Sequence, residues 1–126
     1  MQKEIVKSNH APAPIGPYSQ AVKTGNLLFL SGQIAIDPAT GNMVNENITE
    51  ETAQVMKNLQ EVLKAAGAGF QNVVKTSIFL SDMGTFGEVN KEYGKYFTAD
   101  FPARETVAVK TLPKNVNVEI SMIAAL

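Results

Sequence analysis

The chain has 126 residues, 44% hydrophobic and 18% charged, the balance of one globular domain over residues 1–126. Eleven Lys plus Arg against twelve Asp plus Glu leave a net charge of −1, without the basic excess of a phosphate-neutralising nucleic-acid binder. The absence of cysteine excludes disulfide scaffolds, thiolate metal sites and cysteine nucleophiles, and a lone His10 excludes a His-rich metal site. No apolar run approaches the roughly 20 residues of a membrane span, and the alternating segment Gln2–Lys7 is unlike a secretory or transit signal. The expectation is a cytoplasmic protein with no metal and no membrane partner.

Residues 3–7 alternate and predict a short strand. Three prolines between Pro12 and Pro17 then bar any helix or central strand. Strands are predicted over 18–23 and 27–36, joined by a hairpin turn at Thr24-Gly25-Asn26, with a loop over 37–42. A helix follows, with Thr49 as its expected N-cap, Glu50 and Glu51 at the positive dipole end, and Gly67 at C′. Its apolar stripe is Ala53, Met56, Leu59, Leu63 and Ala66. Val73–Leu80 is β-rich. A second helix is predicted over 85–97 from Phe86, Val89, Tyr93 and Phe97, followed by strands near 104–111 and 116–124 around a turn at 112–115. In the last strand Val116, Val118, Ile120 and Met122 share one face, for the helices to cover. Asn117, Glu119, Ser121 and Ile123 share the other, half polar, which favours a homo-oligomer.

Arg104 is the one arginine among eleven basic residues, placed by Pro102 at a strand start. Its planar fork can hold a carboxylate bidentately, or it can be a surface arginine paired with Asp100 or Glu105. Glu119, inside an apolar strand, is either an outward solvated acid or a proton-transfer group in a cleft. If a tight turn pairs the last two strands, residue 108 stands opposite Glu119. Arg104 is then on the order of 13 Å from Glu119, with Thr106 on the floor between them. Gly16-Pro17-Tyr18-Ser19 and Ser31-Gly32-Gln33 set hydroxyls beside glycines, as in ligand-approach loops or in a plain turn and β-bulge. Asn90, on the second helix, is either a cleft residue or solvated.

Four blocks carry a family resemblance: Ala13-Pro14-Ile15-Gly16-Pro17-Tyr18-Ser19-Gln20-Ala21, Phe29-Leu30-Ser31-Gly32-Gln33-Ile34, Phe101-Pro102-Ala103-Arg104, and Leu112-Pro113 followed by Val118-Glu119-Ile120. From about residue 3 onward the chain resembles the RidA (YjgF) family of reactive intermediate/imine deaminases. The resemblance implies an α+β, chorismate-mutase-like fold with a mixed six-stranded sheet, two helices on one face, and a homotrimer with clefts between subunits. It implies hydrolysis of 2-enamine and 2-imine acids, such as 2-aminoacrylate and 2-iminobutyrate, to 2-oxo acids and ammonia without a cofactor. A functional link to pyridoxal-phosphate-dependent dehydratases, which release such intermediates, comes with it. In this reading Arg104 holds the substrate carboxylate and Glu119 positions or deprotonates water. Tyr18 and Ser31, from the adjacent subunit, close the cleft with Asn90, and the backbone around Gly32 and Thr106 receives the departing nitrogen. Two departures stand out: Thr106 occupies a position that is cysteine in many relatives, and Glu105 one that is usually small or apolar. A non-catalytic 2-oxo acid binding module is the alternative. A nucleic-acid role, described for some of the family, sits poorly with the −1 charge.

Overall fold

The computed structural model describes residues 2–126. Six strands form one mixed sheet: β1 (Glu4–Val6), β2 (Ala21–Thr24), β3 (Leu27–Gln33), β4 (Val73–Leu80), β5 (Ala103–Ala108) and β6 (Val118–Ala125). Helix α1 (Ile48–Ala65) follows β3 and α2 (Phe86–Gly94) follows β4. The spatial order is β1-β2-β3-β6-β4-β5, with every neighbouring pair antiparallel except the parallel β4–β5. The α+β class, the six strands and the helices on one face agree with expectation.

The alternation read in the last strand fixes the core: Val118, Ile120 and Met122 are buried beneath the helices in one cluster with Val55, Met56, Leu59, Val62 and Leu63 of α1, and Val116, just ahead of β6, is buried as well. The N-cap of α1 is Asn47 rather than Thr49, its side chain accepting from the Glu50 N–H at 2.8 Å. The buried stripe is also wider than the one read from spacing: it takes in Val55 and Val62 together with three polar residues, Glu51, Thr52 and Asn58. The helix stops where Gly67 predicted. With φ at 73° it donates to Lys64 O (2.9 Å) while Ala68 donates to Leu63 O (2.9 Å), the paired bonds of a Schellman stop.

Several expected boundaries move: β2 starts at Ala21, not 18, and β6 at Val118, not 116. β3 ends at Gln33, not 36, because Asn58 takes the Ile34 and Ile36 carbonyls at 3.0 and 2.9 Å and draws the chain off the sheet. β5 ends at Ala108, short of 111, and α2 stops at Gly94, before 97. The larger correction concerns β5 and β6, which do not form a hairpin. β4, α2 and β5 make a strand–helix–strand crossover, whose strands pair in parallel, and β6 inserts between β3 and β4. Glu119 therefore faces Phe79, and residue 108 faces Leu80.

Candidate functional site: two half-sites on opposite sheet faces

The first half-site forms where β3 bulges. The β3–β6 register shifts between Leu30 and Gln33, leaving Ser31 and Gly32 as the bulge. Ser31 is tied to the preceding loop twice, its N–H donating to Gln20 O (2.9 Å) and its hydroxyl to Ser19 O (2.6 Å). Glu119 rises from β6 against the bare Cα of Gly32: a Cβ there would run into the carboxylate, whose Cδ would lie only 2.9 Å away. Around them lies a cleft of about 540 Å³ lined also by Pro12, Ile15, Tyr18, Pro113 and Lys114. Half-burial lifts the Glu119 carboxyl above its ordinary value.

The Tyr18 arm is held from beneath. Gln20 is buried, its Oε1 accepting from the Ser8 N–H (2.6 Å) and its Nε2 directed at the carbonyls of Ser8, Ala11 and Pro12 (3.1, 3.4 and 2.8 Å). This staple presses the proline-rich segment onto β2 and leaves Tyr18 half exposed, with its hydroxyl oxygen accepting from the Ile15 N–H at 3.4 Å.

The second half-site is the β5 edge beside α2. Arg104 pairs in register with Thr76, whose side chain points under the helices. Its Nη1 donates to Asn90 Oδ1 at 2.6 Å, and its guanidinium carbon lies 5.5 Å from the Phe86 ring centre and 5.2 Å from that of Tyr93. Tyr93 is in turn fixed by donating to Thr76 Oγ1 (3.1 Å), and burial raises its hydroxyl pKa. An open cleft of about 470 Å³ spans Asn90, Tyr93, Gly94, Phe101, Pro102 and Arg104. Among the described residues Arg104 makes no ion pair. The surface pairing with Asp100 or Glu105 is thus not formed. Glu105 points to the opposite face, where it pairs with Lys75 Nζ at 2.7 Å and accepts from the Ser77 hydroxyl. Phe86 and Tyr93, read from sequence as core, share one helical face with Asn90 at i, i+4 and i+7. That spacing was the available signal.

The expected juxtaposition within one chain is not formed. Arg104 and Glu119 are separated by two strand spacings and three residues, about 14 Å, and they stand on opposite faces of the sheet. Thr106 shares the face of Arg104, not of Glu119; its hydroxyl is buried with no hydrogen-bond partner. Tyr18, Ser31, Gly32 and Glu119 converge in one cleft, while Asn90 and Arg104 converge in the other.

Comparison with known proteins agrees with the fold. The endoribonuclease L-PSP family model matches residues 8–126. The chloroplastic Reactive Intermediate Deaminase A of Arabidopsis thaliana is 50% identical over 126 residues, 100% of this chain and 67% of that protein. The 2-iminobutanoate/2-iminopropanoate deaminase of Mus musculus is 47% identical over 122 residues, 97% of this chain and 90% of its own. The crystal structure of a Rid-family protein of unknown function from Yersinia pestis superposes with a TM-score of 0.97 at 44% identity, covering 99% of this chain and 100% of the other. By fold and by sequence over nearly its whole length, the chain belongs to the RidA (YjgF) family.

Proposed function

We propose that the protein hydrolyses small 2-imino and 2-enamino acids to 2-oxo acids and ammonia, at sites completed between neighbouring copies of a homotrimer. The observation that carries this reading is Arg104: a guanidinium braced by Asn90 and two aromatic rings, open to a cleft and without a carboxylate of its own. Such a fork is preorganised for a carboxylate brought by a ligand. The names of the Arabidopsis and mouse relatives support the imine as the rest of that ligand.

The chemistry follows from the two half-sites. Arg104 of one copy holds the substrate carboxylate, and Glu119 of the next copy faces the C=N carbon. Glu119, made more basic by burial, accepts a proton as water oxygen bonds to that carbon, and gives that proton to the imine nitrogen to form the carbinolamine. Glu119 then takes the carbinolamine O–H proton and delivers it to the nitrogen as C=O forms and C–N breaks, releasing ammonia. The balance needs water alone, with no redox partner or electron sink. Tyr18 offers a hydroxyl proton, because its oxygen accepts from Ile15 N–H. The Ser31 proton is committed to Ser19 O, so its oxygen remains as an acceptor. The substrate stream is that of the pyridoxal-phosphate-dependent dehydratases.

The test is 2-oxo acid release from 2-aminoacrylate and 2-iminobutyrate generated in situ by a dehydratase, against a protein-free blank. Wild type should exceed the blank and Arg104→Ala should lose roughly hundredfold or more of kcat/KM. Arg104→Lys should not restore it, since a point charge lacks the fork. A wild-type rate equal to the blank would leave a carboxylate-binding module in place of an enzyme.

A further inference from the structure

Glu51 is fully buried in the first turn of α1, and both of its oxygens are committed to one residue 66 positions later. The Asn117 N–H donates to Oε2 at 2.8 Å and Asn117 Nδ2 to Oε1 at 2.8 Å. Ser81 takes the remaining groups of Asn117, its hydroxyl bonding Oδ1 at 3.2 Å and its N–H bonding the carbonyl at 3.1 Å. Every polar group of Asn117 is thereby held, two residues ahead of Glu119. No strand does this work on the β3 side, because β3 ends at Gln33, opposite Ile120. The preceding 3-10 turn, Pro113–Asn115, carries Lys114 and Asn115 at φ 55°, a left-handed conformation that costs a non-glycine residue on the order of 1 kcal/mol and persists only where its surroundings impose it. Pro113 and Lys114 of that turn line the Glu119 cleft.

We infer that Glu51 is a positioning residue: through Asn117 it fixes the start of β6, and so sets where the Glu119 carboxylate and the Pro113-Lys114 rim stand. The inference rests on the role proposed for Glu119. A buried carboxylate with two neutral donors is a demanding arrangement, since either partner alone is left unsatisfied. It joins α1, the longer of the two helices described on the covered face, to the strand whose other face carries the acid.

The experiment is steady-state kinetics of the full chain, with the folded fraction of each variant measured by circular dichroism. Glu51→Leu keeps the volume and removes both acceptors; its kcat should fall about tenfold or more, with KM little changed because the carboxylate clamp lies on the α2 side. Glu51→Gln should recover most of kcat, since its amide can accept from the Asn117 N–H and donate to a turned Asn117 Oδ1. In the Glu119→Gln background, Glu51→Leu should cost little more, because both changes act at one point. A folded Glu51→Leu with wild-type kcat, or an equal loss in both backgrounds, would overturn the inference. Should Glu51→Leu not fold, Asn117→Ala is read in the same way, with a several-fold loss expected; if neither folds, the pair is structural and the inference falls. Wild-type kcat in Glu119→Gln would remove the proposed role of Glu119 and this inference with it. A loss in Glu119→Gln with none in folded Glu51→Leu would remove the positioning role alone.

Discussion

Gly32 shows how a single absent atom organises the acid. Nothing in its backbone demands glycine by a left-handed φ; what demands it is the Glu119 carboxylate lying where a side chain would begin. Gly32→Ala is therefore expected to push the carboxylate aside rather than to unfold the bulge, because the displaced atoms are the end of a flexible side chain. We expect kcat to drop about tenfold or more while stability changes by less than about 1 kcal/mol, checked by kinetics beside thermal melts. The raised pKa of Glu119 has its own consequence. A carboxyl whose folded pKa lies above its unfolded value makes ionisation oppose folding. The cost is absent below the ordinary carboxylate value and grows as pH rises through the elevated one. In an Arg104→Ala chain no guanidinium from a second copy can offset it. There Glu119→Gln should raise Tm at neutral pH, and the advantage should vanish near pH 3; an unchanged or lowered Tm at neutral pH would contradict the burial argument.

At the scale of elements, the site hangs on an irregular segment fastened to regular ones. The proline-rich stretch before β2 has no ladder of its own, and Gln20 supplies its bonds from a buried position. Gln20→Leu would leave the Ser8 N–H and the Pro12 carbonyl without that partner, at a cost of about 2–4 kcal/mol. Tyr18 would lose its footing, so activity measured well below Tm should fall with it. This staple was invisible in the sequence, where Gln20 reads as one more polar residue, and Glu51 and Asn58 were hidden in the same way. Burial of a polar side chain is decided by what a distant element brings to it, which no local pattern records. Periodicity did reveal the covered face of β6, and Gly67 the end of α1, because both follow from short-range geometry. The β5–β6 hairpin was a misreading with a legible alternative: strand, helix and strand in succession specify a parallel crossover, and β4-α2-β5 is one. That pairing, not the identity of Arg104 or Glu119, determines which sheet face each residue occupies.

For the whole molecule, the separation of the two residues is what makes the proposed assembly testable. The face opposite the helices carries Phe29, Phe79, Val107 and Ile123 together with Glu119 and the Lys75–Glu105 pair, a mixed surface suited to a second copy. If a site takes Arg104 from one copy and Glu119 from the next, two inactive variants hold complementary halves. Arg104→Ala retains a sound Glu119 cleft, and Glu119→Gln retains a sound carboxylate clamp. Mixing them at equal concentration, with reversible dissociation to exchange subunits, should restore activity. In a closed ring with random exchange, each site draws its two halves independently, so about one quarter of the sites should carry both intact residues. Activity should then recover to about that fraction of wild type, whereas mixing without exchange should recover none. If both residues instead acted within one chain, no mixture could exceed the variants alone. Recovery at the expected fraction would tie the chemistry to the interface; its absence, with exchange independently confirmed by mass, would require the two residues to serve different ends.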